Sequence, residues 1–283
     1  MKTVKLGELT VLELEQYLQS NQTIILPYGV VEQHGYHLPL DTDIRNAGIM
    51  GEKLAEALNC LVAPTVNYCF SGGMLTGTIN IKPNTFANMI GEIIESLALQ
   101  GFKNIIILPG HGGSESLCHL KESLRILKWL NPALRDILIM MPQLWNFSPT
   151  WLKLFKTQDY HAAEAETSLI KYWTPEAVRD KIVVDKAAVA AMLRDDPDSF
   201  QKRSSLSGSK DEIVFTEQRA EVKVGVMGYP AKATVATGEK ITAEILKNAK
   251  RELSKAIATA NKNRRQNRSI EIINADKLKI LSL

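Results

Sequence analysis

Three short runs, TIILPYGVV (23–31), NIIILPG (104–110) and DILIMM (136–141), are apolar at nearly every position and not at every second one. A strand with one wet face alternates, because successive side chains point to opposite sides. A run without alternation is a strand buried on both faces, and such strands belong to parallel sheets covered by helices. Helical periods lie between and after these runs. Phe86, Ile90, Ile93 and Leu97 share one face and precede Gly101, a helix-ending signal. Leu117, Leu120, Leu124 and Leu127 mark a second helix, and Ile241, Ile245, Ala249 and Leu253 a long one near the C-terminus. The expected class is α/β, with a mostly parallel sheet between helices.

Nothing divides the chain into self-sufficient halves, so a single domain over 1–283 is expected. The irregular part is 180–224, where RDDPDSFQKRSSLSGSKDE is polar and turn-rich; it reads as an insertion carrying an exposed loop. The 34 basic and 31 acidic residues leave a net charge of +3, too small to call for nucleic acid or a membrane surface. The basic cluster KNRRQNR (262–268) follows the long helical pattern and reads as a solvated helix end. No stretch approaches the roughly 20 consecutive apolar residues that span a bilayer. The N-terminus lacks the apolar core of a signal peptide, and three scattered cysteines (Cys60, Cys69, Cys118) make no CxxC pair. A cytoplasmic location is the expectation.

In open α/β sheets, ligands bind where strand C-termini open into loops. Metal-seeking groups gather at those edges. LPYGVVEQHGYHLPLDTD (26–43) carries two histidines and three acids behind an apolar run, GHGGSES follows the second run, and DYHAAEAETS precedes a helical stretch. Glu32 and His34 are two apart, so an extended backbone points both to one side, where they can share Zn²⁺ or Mn²⁺ or simply pair with each other. Asp43, Thr42 or Asp41 can cap the helix that follows, and capping suits Asp41 best. His111 is flanked by glycines that let backbone or substrate approach. His37, His119, Met74 and Trp173 are assigned to structure. SGGML (71–75), with Gly73 at its centre, can bring backbone amides to a ligand or be a plain turn; Tyr36 and Tyr68 are further polar candidates.

The combination EQHGYHLPLDTD, GHGGSE and HAAEAETS, in that order and extending through GVMGYPAKATVATGEK (225–240), resembles the creatininase (creatinine amidohydrolase) family. Members include creatinine hydrolases, a deformylase of flavin and deazaflavin biosynthesis, a peptidase that matures a redox-cofactor precursor, and hydrolases of cyclic sugar ketones. The resemblance implies a three-layer α/β/α sandwich, one or two divalent ions (Zn²⁺ or Mn²⁺, with Fe²⁺ a third option) and a homo-oligomer, a hexamer being one form. Carried across, it puts metal ligands at Glu32, His34, Asp43 and His111, with Asp43 bridging, and an acid/base at His161. Glu166 becomes a candidate ligand or partner of one. Where creatinine hydrolases carry an aromatic and then an acidic residue after the histidine matching His111, this chain has Gly112 and Gly113. A second ion would then draw on Glu115, Glu164 or Glu166, and Trp145, with Trp151 a second candidate, becomes the aromatic wall of a small-molecule site that also uses Gly112. The implied reaction is hydrolysis of a cyclic or linear C–N amide. Cleavage of a C–C bond in an inosose is the alternative enzyme, and a metal-binding member without turnover the third reading.

Overall fold

The computed structural model describes residues 2–269. Its elements run α1 (Val11–Ser20), β1 (Thr23–Tyr28), α2 (Thr42–Leu58), β2 (Leu61–Val62), α3 (Pro83–Leu99), β3 (Asn104–Pro109), α4 (Ser114–Leu130) and β4 (Leu138–Met140). There follow α5 (Pro149–Phe155), α6 (Glu164–Trp173), α7 (Ala187–Asp195), β5 (Gln201–Ser204), β6 (Phe215–Gln218) and α8 (Val235–Arg265). Strands β2-β1-β3-β4 form one sheet in that order, and every pair in it is parallel. Residues beyond 269, the last part of the expected single domain, lie outside the described residues.

Two of the three apolar runs have the reason the pattern predicts; the third differs, because its strand β4 closes the sheet's edge and is only half-buried. Ile24, Leu26 and Tyr28 of β1, with Ile105 and Ile107 of β3, face one cluster; Ile25, Ile106 and Leu108 face the other. Helices α3 and α4 close the first face through Phe86, Ile90, Ile94, Leu97, Leu120 and Leu124. Helices α2, α6 and α8 close the second through Met50, Leu54, Leu169, Ile241, Ile245 and Ala249. The result is a three-layer α/β/α sandwich with a parallel sheet at its centre. Each fully buried Leu, Ile, Met or Phe among them contributes about 1.5–3 kcal/mol of transfer free energy.

Several local expectations change on contact with the structure. The buried face of α3 runs through Ile94, while Ile93 packs at its margin. Asp41 stands at the N-cap of α2 but makes no capping bond; its carboxylate takes Nε–H of Arg45 at 2.7 Å instead. The basic end of α8 is tied down, not merely solvated: Arg264 donates to the carbonyl oxygens of Lys103 and Asp136 and to Asn104, so α8 is latched at the N-terminal ends of β3 and β4.

The 180–224 segment folds into α7 and an antiparallel β5/β6 hairpin. Leu193 and Val222 pack with Met227, Leu75 and Tyr160 in a small cluster of their own. The hairpin tip is open, with Leu206 and Ile213 fully exposed. Asp185 anchors the return of the chain, its buried carboxylate accepting the backbone N–H groups of Lys223, Val224 and Gly225 at 2.7–3.1 Å. That anchor sets Met227 beside His161, with which it exchanges backbone hydrogen bonds.

Candidate metal centre and active site

The C-terminal ends of β1 and β3 lie side by side, Tyr28 opposite Pro109. The loops that leave them and the first turns of α2 and α6 meet there. Helix α2 comes down close onto the sheet because of Gly110. A Cβ at that position would lie 1.9 Å from the carbonyl oxygen of Asp43, so only glycine admits this approach. Helix α6 has no side-chain cap at its own N-cap residue, Ala163. Asp159 supplies the cap from outside, taking the N–H of Glu164 at 2.6 Å and of Ala165 at 3.0 Å. The turn that presents His161 and Glu166 is thereby fixed.

Five residues expected to hold metal converge. His34 Nε2 lies 3.2 Å from Asp43 Oδ1 and 3.7 Å from Glu166 Oε2. His111 Nδ1 lies 3.1 Å from both Asp43 Oδ2 and Glu32 Oε2. Asp43 therefore turns one oxygen to each histidine, and the cluster resolves into two triads that share it: Glu32–Asp43–His111 and His34–Asp43–Glu166. A third grouping joins Glu32 and His34 to His161. Glu115 and Glu164, the other acids weighed for a second ion, belong to no such group among the described residues.

The donor set fits divalent cations on its own chemistry. Glu32, His34, Asp43, His111 and Glu166 are all buried. Glu32 Oε2 and His34 Nε2, which point into the cluster, make no well-formed hydrogen bond, an expensive arrangement for polar atoms away from water. His34 Nδ1 donates to the main-chain oxygen of Glu32 at 3.1 Å, which fixes the ring and leaves Nε2 as the atom presented to the carboxylates. Glu32 is held likewise. Ser71 Oγ donates to Oε1 at 2.5 Å, while the amide of Gly73 donates back to Ser71 at 3.2 Å. The glycine-rich stretch is thus a brace for Glu32 as well as a pocket wall.

Electrostatics follow from the crowding. Burial favours the neutral form of Asp43, but the charge of His34 and the hydrogen bond of His111 outweigh it and hold the carboxyl well below the usual carboxylate range. Burial and then the charge of Asp43 act oppositely on His34, and the carboxylates win, raising it to about 10. Glu166 moves up to about 7, driven by burial and opposed by His34. His161 is pushed down to about 4 by burial and by the positive charge of His34, whose ring centre is 4.3 Å away. His161 Nε2 lies 2.9 Å from the carbonyl oxygen of Gln33, which can only accept, so Nε2 carries the hydrogen and Nδ1 the lone pair. The Gln33 side-chain amide, 3.1 Å off, is a second contact.

The cluster floors a cavity of about 350 Å³. Trp145, Gly112 and Gly73, expected to meet substrate, all line it, and so does the deeper Trp151. Tyr36 and Tyr68 do not; both are exposed elsewhere. Met74, assigned to the core from its type, is 72% exposed, because the brace that holds Glu32 turns the next residue outward. His37 is a core histidine paired with Thr167 Oγ1 at 3.0 Å, as its assignment to structure expects. Sequence reasoning missed Gln33, Ser71, Phe155, Tyr160, Asp198 and Phe200. Gln33 stands inside the EQHG motif, Ser71 inside SGGML and Tyr160 beside His161, all within reach; Phe155, Asp198 and Phe200 carry no local signal and arrive by tertiary folding.

A buried carboxylate–imidazole cluster at the strand ends of a parallel α/β/α sandwich defines a candidate divalent-metal protein with a small-molecule cavity. The profile of the creatininase family, described as creatinine amidohydrolase, matches residues 7–253, and the chain belongs to that family. It is 29% identical over 254 residues to the mycofactocin precursor peptide peptidase of Mycobacterium ulcerans (strain Agy99), covering 85% of this chain and 88% of that one. It is 24% identical over 200 residues to the creatinine amidohydrolase of Pseudomonas putida, covering 65% and 77%. A shorter match, 30% over 108 residues, is to the 3-dehydro-scyllo-inosose hydrolase of Thermotoga maritima, covering 37% and 34%. Among solved structures, a creatininase described with Mn superposes at a TM-score of 0.71 with 21% identity, covering 90% of this chain and 98% of that one. That last likeness speaks for the fold. Among the described residues no helix is long and apolar enough to cross a membrane.

Proposed function

We propose that this protein is a metal-dependent hydrolase that opens a C–N amide bond in a small molecule, with His161 as its acid/base. The observation that carries the reading is Asp43, whose two oxygens face two histidines in two triads. Glu32, Asp43 and His111 would hold one divalent ion, and His34, Asp43 and Glu166 a second, with Zn²⁺ and Mn²⁺ suited to this mixed oxygen and nitrogen set. When bound, such ions lower the pKa of water from about 16 toward about 7 and polarise a carbonyl.

The chain's own residues do the rest. His161, neutral at pH 7, offers the Nδ1 lone pair to take a proton and returns it to the leaving nitrogen. Gln33 keeps that tautomer through its carbonyl oxygen. Trp145, Trp151 and Phe155 wall the cavity and exclude bulk water. Gly112, which packs against Trp145, leaves the floor open where a larger side chain would intrude. For that reason the reading is hydrolysis of a C–N amide without a commitment to creatinine.

A second reading, cleavage of a C–C bond in a cyclic sugar ketone, is favoured by the stretch shared with the inosose hydrolase. Both use the same residues, so a panel of lactams, formamides and inososes given to metal-loaded protein separates them. Turnover of the amides alone supports the first reading; turnover of inososes alone supports the second; none, with metal bound, leaves a binding protein.

The reading extends to assembly and location. Leu206, Ile213 and Phe215 on the hairpin and Trp129 and Leu130 on α4 are exposed apolar side chains, which favours a homo-oligomer. Light scattering at micromolar concentration checks it, a monomer being the contrary result. All three cysteines are free thiols, which suits a reducing compartment such as the cytoplasm.

A further inference from the structure

The loop that braces Glu32 is itself held by one side chain, Asn80. Its amide bonds three consecutive residues of the glycine-rich stretch. Oδ1 accepts the backbone N–H of Ser71 at 2.8 Å and of Gly72 at 3.2 Å, and Nδ2 donates to the carbonyl oxygen of Gly73 at 2.7 Å. Donors meet the oxygen and an acceptor meets the nitrogen, so a single orientation of the amide satisfies every partner. Among the described residues the amides of Ser71 and Gly72 have no other acceptor. Gly72, at φ +89°, makes the turn that brings these main-chain groups to one side chain.

The same short stretch grips Glu32 from its other side. The backbone N–H of Ile79 donates to the carbonyl oxygen of Val31 at 2.8 Å, and Thr78 Oγ1 accepts the backbone N–H of Gln33 at 3.2 Å. Residues 78–80 are therefore bonded to both chain neighbours of Glu32 and to the loop that bonds its carboxylate. The circuit closes through Ser71, whose Oγ takes the N–H of Gly73 and gives its own hydrogen to Glu32 Oε1. Asn80 itself belongs neither to the cavity wall nor to the carboxylate–imidazole cluster.

We propose that Asn80 is a positioning residue for the buried cluster: it fixes the place of Ser71 Oγ, and through it the direction in which Glu32 presents Oε2 to His111. The inference rests on the reading of that cluster as a metal site. Without Asn80, two amides lose their acceptor, and Gly72 and Gly73 are free to take other backbone conformations. Ser71 Oγ then has no fixed place from which to hold Glu32 Oε1. An ion arriving at the cluster would have to order the carboxylate as it binds, which weakens binding. The plain alternative is that Asn80 only stiffens a loop, and the two roles separate by experiment.

The first readout is Mn²⁺ affinity, by competition with a chelating dye, in wild type, Asn80→Ala, Ser71→Ala and the double variant. Asn80→Ala is expected to weaken binding by about tenfold, and the double variant to bind no more weakly than Ser71→Ala alone, since both changes remove one brace. The second readout is the nitrogen NMR signals of the His111 imidazole in metal-free protein, whose Nδ1 lies 3.1 Å from Glu32 Oε2. These are expected to shift in Asn80→Ala in the direction they shift in Ser71→Ala. Asn80→Asp keeps an acceptor for both amides and loses the donor to Gly73; it is expected to lose about threefold in affinity, and it takes the place of the alanine variant if that one folds poorly. Wild-type affinity in the variant, losses that add in the double variant, or His111 signals that stay in place would each overturn the inference, even with thermal stability lowered. Wild-type protein that takes up no Mn²⁺ would sink the metal reading alone, and the His111 signals would then decide for or against Asn80.

Discussion

Ser71 Oγ lies 2.5 Å from Glu32 Oε1, and the contact leaves Glu32 Oε2 turned toward His111 at 3.1 Å. A hydroxyl on a glycine-rich turn thus decides which oxygen of a buried carboxylate faces the carboxylate–imidazole cluster. Groups that orient ligands in this way are worth about 10–100-fold in metal affinity. Ser71→Ala is expected to fold normally and to lose metal affinity by about tenfold, as read by competition with a chelating dye. An unchanged affinity would mean that Glu32 is held by packing alone.

His161 and His34 face one another but are expected to fail differently. His161→Ala should keep its metal and lose about 10²–10⁴-fold in kcat. His34→Ala should lose metal as well as turnover, since it takes a donor from one of the triads. Loss of metal in His161→Ala would reassign that residue as a ligand. Normal turnover there would reduce it to a wall.

Two adjacent glycines separate steric need from open space. A Cβ on Gly113 would lie 2.3 Å from His111 Nε2, whereas one on Gly112 would meet the Trp145 ring at 3.4 Å, an ordinary contact. Gly113→Ala is expected to displace His111 and strip metal, while Gly112→Ala keeps metal and alters KM. Elemental content of the two variants, measured side by side, checks it.

Glu244 of α8 accepts Ser148 Oγ at 2.7 Å, Thr150 N–H at 2.9 Å and Thr150 Oγ1 at 2.8 Å, which clamps the start of α5 to α8. Burial opposes ionisation, but those hydrogen bonds prevail and hold the carboxyl below its usual range. A depressed carboxylate adds stability that is present above its unfolded pKa, about 4.3, and is lost as pH falls through the folded value. Glu244→Gln is expected to cost about 1 kcal/mol at pH 7, solvent access keeping the figure low. The gap to wild type in urea titrations should close as pH drops below that range. A gap constant from pH 7 to pH 3 would mean that the carboxylate charge contributes nothing.

The sequence made the sheet readable where burial was complete on both faces. β1 and β3 announced themselves because Ile24, Ile25, Ile105 and Ile106 all lie inside. β2 has only Leu61 and Val62, too short to differ from any buried pair. The residues of the buried carboxylate–imidazole cluster were legible because they sit in dense polar motifs at strand ends, where an open sheet puts chemistry. The far wall was not. Phe200 and Asp198 reach the cavity only because Asp185 and the small cluster around Leu193 fold their segment back over it. Gly113 shows the same limit: read as a place where an acidic residue is missing, it is required by the ring of His111.

The central claim is that two divalent ions share Asp43. Elemental analysis of protein purified without chelators and reloaded with Mn²⁺ or Zn²⁺ tests it most directly. The account predicts two ions per chain in the wild type and loss of both in Asp43→Ala. One ion or none in the wild type, or an Asp43→Ala variant that still holds two, would contradict it.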